Sequence, residues 1–126
     1  MIEQSQHPIS ISIDFKKYRI RIHRRTLSLL GTPKYIQFLV SPQERMIAVQ
    51  GVDNRTKYAH RVDLNSLQPD NSYEVYSSIF IEKLRSLDSG MQLGETYRLT
   101  GNYYEKENAV VFPLGSFQRV DSWEVE

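Results

Sequence analysis

The sequence predicts a β-rich α+β fold made of two strand–helix–hairpin (βαββ) units that share one core. Three observations predict it. Apolar residues alternate with polar ones at Ile9, Ile11, Ile13 and Phe15, and again at Tyr18, Ile20 and Ile22, the period-2 pattern of half-buried strands. Helical spacing is confined to two short segments, near Leu27–Leu30 and Phe80–Leu87. The order strand, helix, hairpin then occurs twice, from Tyr18 to Gln50 and from Tyr73 to Leu114. A unit of that size alone buries too little apolar surface for a good core, so the two are expected to share one. The expected organisation is a basic N-terminal unit over 1–64, a linker over 65–72 and an acidic C-terminal unit with a tail over 73–126.

Taken in order, Ile9–Phe15 is the first strand, with Pro8 where a strand start tolerates it. It is expected to continue, with a bend near Lys16, into the strand Tyr18–His23. A helix follows from about Arg24 to Leu30. Gly31 suits the left-handed position after a helix, and Pro33 bars continuation. Arg24 and Arg25 then sit in the first turn, where the helix dipole disfavours cations; an N-cap at Thr26 removes that conflict. Lys34–Gln50 reads as a hairpin. Its turn is Ser41-Pro42-Gln43-Glu44, with Ser and Pro at the first two positions of a type I turn. Gly51–Lys57 is a loop, Tyr58–Leu64 a short strand, and Asn65–Ser72 (NSLQPDNS) the linker. Tyr73–Tyr76 is a strand, Ser77 or Ser78 caps a helix, and Gly90 ends it. Glu95–Tyr104 and Ala109–Leu114 form a second hairpin across Glu105–Asn108, with Pro113 at a strand end or edge. Phe117, Val120 and Trp123 are expected to pack part of the tail.

Composition removes several function classes. There are no cysteines among the 126 residues, so no disulfide framework or thiolate metal site is available. No apolar run approaches the roughly 18 residues of a membrane span. The segment MIEQSQHPISIS lacks the basic and apolar blocks of a secretory signal. A cytoplasmic protein with no membrane partner is expected. The net charge of +1 conceals a division. Met1–Arg61 holds eleven Lys and Arg against four Asp and Glu, a balance of +7. Val62–Glu126 holds five against eleven, a balance of −6. Such asymmetry points to a polyanion partner for the basic half, or to pairing of the two halves within a chain or between chains.

The densest chemistry is KKYRIRIHRR. On a strand, Lys17, Arg19, Arg21 and His23 would share one face while Tyr18, Ile20 and Ile22 share the other. Cations at every second residue can track a phosphate backbone, and arginine can also fork onto guanine edges. The candidate nucleic-acid-binding residues are Lys16, Lys17, Arg19, Arg21, His23, Arg24 and Arg25. Duplex DNA is the expected partner and RNA the other polyanion of that chemistry. The bland alternative is a solvated or charge-guarded strand. Tyr18, Tyr35, Tyr58, Tyr97, Tyr103 and Tyr104 read as half-packed strand residues rather than base-stacking platforms. His7, His23 and His60 lie in separate segments with no ligand spacing, so no metal site is expected. Gly31-Thr-Pro-Lys34 lacks the spacing of a phosphate loop, and no Gly-x-Ser-x-Gly or HExxH motif occurs. No catalytic residues and no cofactor are expected. The second class of function is a protein-interaction or assembly module whose basic half meets an acidic partner surface.

The run RIRIHRRTLSLLG followed by YIQFLVSPQERMIAV resembles the DNA-binding unit of AbrB-like transition-state regulators: a basic strand, a helix ending in Leu-Gly, then two paired strands. Two tandem units resemble the MraZ arrangement. The resemblance implies a small swapped-hairpin-like barrel, DNA as ligand and a role in transcription regulation. It covers Asp14–Gln50 closely and Tyr73–Leu114 loosely. This chain departs from the pattern at Tyr18 and His23, which stand near the family's glycine before the strand and proline at the helix start. Gly51–Ser72 is long for the family, and Glu74, Val75 and Tyr76 replace the basic strand in the second unit. The family's mode would then leave DNA contact to the first unit, and a homodimer is expected, to present two basic surfaces.

Overall fold

The computed structural model describes residues 9–88 and 90–120. The strands are β1 (Ile9–Asp14), β2 (Arg19–His23), β3 (Tyr35–Ser41), β4 (Met46–Val52), β5 (His60–Arg61), β6 (Ser72–Tyr76), β7 (Thr96–Tyr104), β8 (Ala109–Pro113) and β9 (Gln118–Arg119). The helices are α1 (Arg24–Leu29), before β3, and α2 (Ser78–Leu87), before β7. All pairings are antiparallel, in the order β5-β3-β4-β8-β7-β1-β2-β6, with β9 added beside β7. The sheet curls into a nearly closed barrel whose outermost strands approach each other. The Tyr73 hydroxyl on β6 donates to the Arg61 carbonyl on β5. No helix among the described residues is long and apolar enough to cross a membrane.

Alternation decides which side chains fill the barrel. Ile11, Ile13, Ile20, Ile22, Ile36, Ile47, Val49, Leu99, Val110 and Phe112 are buried, joined by Phe80, Ile81 and Leu84 from α2. Both halves of the chain therefore supply one core. β7 turns the corner of the barrel, pairing with β1 from Thr96 to Gly101 and with β8 from Asn102 to Tyr104. Gly101 permits that bend, because a Cβ there would strike the Val111 carbonyl and the Phe112 ring.

The connection from β1 to β2 is a tight reversal rather than a bend. The Asp14 carboxylate replaces the missing turn glycine: its Oδ1 accepts from the backbone N–H of Lys16 at 2.8 Å and of Lys17 at 3.1 Å. Tyr18 takes the left-handed conformation, φ 54°. α1 begins at Arg24, capped by His23, whose Nδ1 accepts from the Arg25 N–H at 3.0 Å. It ends before Gly31, whose φ is +84°. α2 is capped by Ser77, whose hydroxyl accepts from the Phe80 N–H. It stops at Leu87, short of Gly90, with Asp88 as its C-cap. The short strand expected over Tyr58–Leu64 shrinks to His60–Arg61, and Ser72 already belongs to β6. In the tail, Phe117 packs edge-on to Tyr97, with ring centroids 5.2 Å apart; Trp123 lies outside the described residues.

The pairing carries a hidden regularity. β2 lies against β6 with Arg21 opposite Glu74, and β4 lies against β8 with Ala48 opposite Val111. Six of the seven left-handed residues fall in matching places: Tyr18 before β2 and Asn71 before β6, Gly31 after α1 and Gly94 after α2, and Arg45 and Asn108 closing the two hairpins; Thr32 has no counterpart among the described residues. The last two pairs are separated by the same number of residues.

Candidate polyanion-binding cleft

Residues that alternate inward on β1, β2 and β7 leave the intervening ones on the outer wall. On β1 these are Ser10, Ser12 and Asp14; on β2, Arg19, Arg21 and His23; on β7, Thr96 and Arg98. Register aligns them. Ser12 stands opposite Arg21 on one side and opposite Arg98 on the other. Short hydroxyl side chains on the middle strand, between long cationic ones, produce a cleft of about 510 Å3, which Ser72, Asp70 and Val120 complete.

Its electrostatics are set by three carboxylates. Arg19 Nε donates to Asp14 Oδ2 at 2.9 Å, and its Nη1 donates to Glu74 Oε2 at 2.9 Å. Arg21 Nε donates to the same Glu74 oxygen at 2.9 Å. The Arg19 side chain keeps 16% of its exposure and Arg21 keeps 38%. Arg19 is thus tied at two points, while Arg21 presents an open flank to the cleft. Burial works against the charge of Asp14. The Lys16 and Lys17 N–H groups and the Arg19 guanidinium outweigh it, and the carboxyl titrates below the usual range. Asp70 is also held low, chiefly by the Ser72 hydroxyl, whose donor bond is 2.7 Å, with the Ser72 N–H and the Arg21 charge adding to it. Arg98 is exposed and makes no ion pair among the described residues.

The seven residues singled out from the sequence fall into three groups. Arg19, Arg21 and His23 line the cleft, and His23 has a second task as the cap of α1. Lys16 and Lys17 are exposed on the turn at one end of β2; Arg24 and Arg25 are exposed on the first turn of α1 at the other. The cationic row is therefore not uniformly free. Arg19 is neutralised by acids from both halves of the chain, Arg21 shares Glu74 with it, and the open cations are at the ends of the row. Sequence reasoning missed Arg98, which stands in the acidic half and reaches the cleft only through the β1–β7 register. It also missed Glu74 as the partner of both arginines. Comparison with family models, with curated proteins and with solved structures gives no match to this chain. The cleft must be read from its own chemistry. A concave, hydroxyl-floored surface with arginines on both banks, lysines beyond one end and arginines beyond the other suits a ligand carrying several spaced negative charges.

Proposed function

We propose that this chain is a small, non-catalytic nucleic-acid-binding regulator that acts on duplex DNA in the cytoplasm as a homodimer. The observation that carries the reading is the placement of open cations: Arg98 on one bank of the cleft, across from the Glu74-paired Arg21, Lys16 and Lys17 beyond one end, and Arg24 and Arg25 beyond the other. β2 covers about 13 Å from Arg19 to His23 as a strand, and the lysines and arginines beyond its two ends lengthen the cationic row enough to follow several phosphates. The seven sequence candidates and Arg98 mark out the contact surface in this reading, with Arg19 and Arg21 held by Glu74. We further propose that the barrel is a βαββ unit used twice, in swapped-hairpin fashion, about one shared core. The facing of β2 with β6 and of β4 with β8, and the matched left-handed residues, support this. On that basis Glu74 occupies in the second unit the place of Arg21 in the first. One chain then offers one cationic cleft, and a dimer presents two of them to a two-part site.

A second reading, an assembly module for an acidic protein surface, draws on one observation. Glu74 already meets Arg19 and Arg21, so this face accepts carboxylates in an oriented way. A fluorescence-anisotropy titration with a labelled 20-base-pair duplex at 50 and 200 mM salt separates the two. DNA binding weakens with salt, and the Lys17→Ala/Arg98→Ala double variant, which removes two open cations, flattens the log K against log salt slope by about 1.8, at roughly 0.9 per phosphate contact. No binding of the duplex at 50 mM salt overturns the DNA reading, and a tighter RNA duplex in the same titration changes the ligand.

A further inference from the structure

The barrel is open beside β3, away from the cationic cleft's residues. β5 pairs with β3 only at Tyr35↔Arg61 and Ile36↔His60. Beyond Ile36 the preceding chain leaves the edge through a turn closed by the Ala59 N–H on the Thr56 carbonyl, 3.2 Å. Along a strand, the N–H and C=O of one residue point to the same side, and the side alternates. The Lys34 carbonyl accepts from the Val62 N–H on the β5 side at 2.9 Å. Ile36, Phe38 and Val40 therefore turn their backbone groups the same way. Ile36 meets His60; at Phe38 and Val40 no strand among the described residues stands opposite.

A groove of about 440 Å3 lies along that bare edge. Its walls are Phe38, Leu39, Val40, Tyr58, Ile79 and Phe80. Phe38 stacks on Phe80 with centroids 5.0 Å apart and meets His60 edge-on at 5.4 Å. Burial pushes the pKa of the His60 imidazole below its ordinary value. The rim is apolar and uncovered: Ile79 is 85% exposed, Tyr58 71% and Leu39 43%. Lys57 and Lys83 also line the groove, no carboxylate does, and neither lysine has an ion-pair partner among the described residues.

We infer that this groove takes an extended peptide with apolar residues at alternate positions and carboxylates between them, added as a strand to the free edge of β3. Backbone pairing at Phe38 and Val40 supplies register, the groove receives every second side chain, and Lys57 and Lys83 receive the acids. The free length, Phe38 to Ser41, is about 13 Å and matches four to five residues of strand. A second copy of this chain fits less well, because joining two such edges about a two-fold axis places the same lysines against each other. The inference does not rest on the nucleic-acid reading and shares no lining residue with the cationic cleft.

The test uses the full chain and two labelled probe peptides, acetyl-Glu-Val-Glu-Ile-Glu-Val-Glu-amide and its counterpart with lysine at each glutamate. The glutamate peptide is expected to bind at least tenfold more tightly. Val40→Pro removes an N–H on the free side while leaving the β3–β4 ladder intact, and it is expected to weaken binding at least tenfold with an unchanged circular-dichroism spectrum. The Lys57→Glu/Lys83→Glu variant is expected to reverse the preference between the peptides. Equal binding to folded Val40→Pro overturns strand addition, and an unreversed preference overturns the acidic partner. No binding of the glutamate peptide at millimolar concentration overturns the whole inference. So does a dimer in sedimentation that Ile79→Asp converts to monomer, because the groove is then occupied by a second copy.

Discussion

Replacing Glu74 with glutamine tests the logic of the cleft most directly. One oxygen of Glu74 accepts from both Arg19 and Arg21, each at 2.9 Å. The substitution keeps the shape and one acceptor but removes the charge. Arg19 retains Asp14, so it is not left unpaired. The Arg21 side chain is 38% exposed, and an exposed pair contributes little, between 0 and about 1 kcal/mol. The Arg19–Glu74 contact is more enclosed, with 16% and 10% of side-chain exposure remaining, yet well short of the full cost of breaking a buried pair. Together these give a loss of about 1–2 kcal/mol, or a melting temperature lower by roughly 4–8 °C for a chain of this size. Freeing Arg21 adds one phosphate contact, so the salt slope steepens by about 0.9. That amounts to an extra factor of about 3.5 in affinity lost between 50 and 200 mM salt. Thermal denaturation and DNA anisotropy on the same preparation read both numbers. A variant that melts lower but binds DNA with an unchanged slope refutes the idea that Glu74 holds back cations that would otherwise meet phosphate.

Four further outcomes follow from the geometry. Asp14 has a lowered folded-state pKa, so its contribution is fully present above the unfolded value of about 3.9 and is lost as pH falls through the folded value. The stability gap between the wild-type protein and Asp14→Asn should therefore be constant above about pH 4 and shrink below it in urea titrations; a gap that widens in acid contradicts the assignment. His23→Ala should cost about 1 kcal/mol through loss of the α1 cap, and His23→Asn should restore most of it, as measured by chemical denaturation. Gly101→Ala should destabilise by about 2 kcal/mol or more, since the Val111 carbonyl and Phe112 ring occupy the space a methyl needs; a neutral effect would mean the corner relaxes freely. Leu84→Ala, at a fully buried site on α2, should cost about 2–5 kcal/mol.

Local features were readable where one residue type settles the matter. Strict alternation gave β1 and β2 their buried isoleucines, Ser41-Pro42 marked the first hairpin, and Ser77, one of two candidates, caps α2. The β1–β2 reversal was hidden, because Phe15-Lys16-Lys17-Tyr18 contains none of the usual turn residues; a carboxylate before the turn does their work from the side. The cleft was half readable. Arginines on one face of β2 follow from period 2, but who stands opposite them depends on pairings between residues more than fifty positions apart. Nothing in the local pattern announces that Glu74 will face Arg21, or that Arg98 will share a floor with Ser12. The free edge of β3 was equally hidden, since it arises from where β5 stops rather than from what β3 contains.

The interleaving of β2 with β6 and of β4 with β8 has a practical consequence. Neither half of this chain owns a complete wall. A fragment cut at the long loop after β4 would carry Ile20, Ile22, Ile47 and Val49 with no neighbour on one flank, bare of hydrogen-bonding partners and wet on its greasy side. Truncation is therefore the wrong tool for assigning roles to the two halves; single substitutions that leave the cylinder whole are the right one.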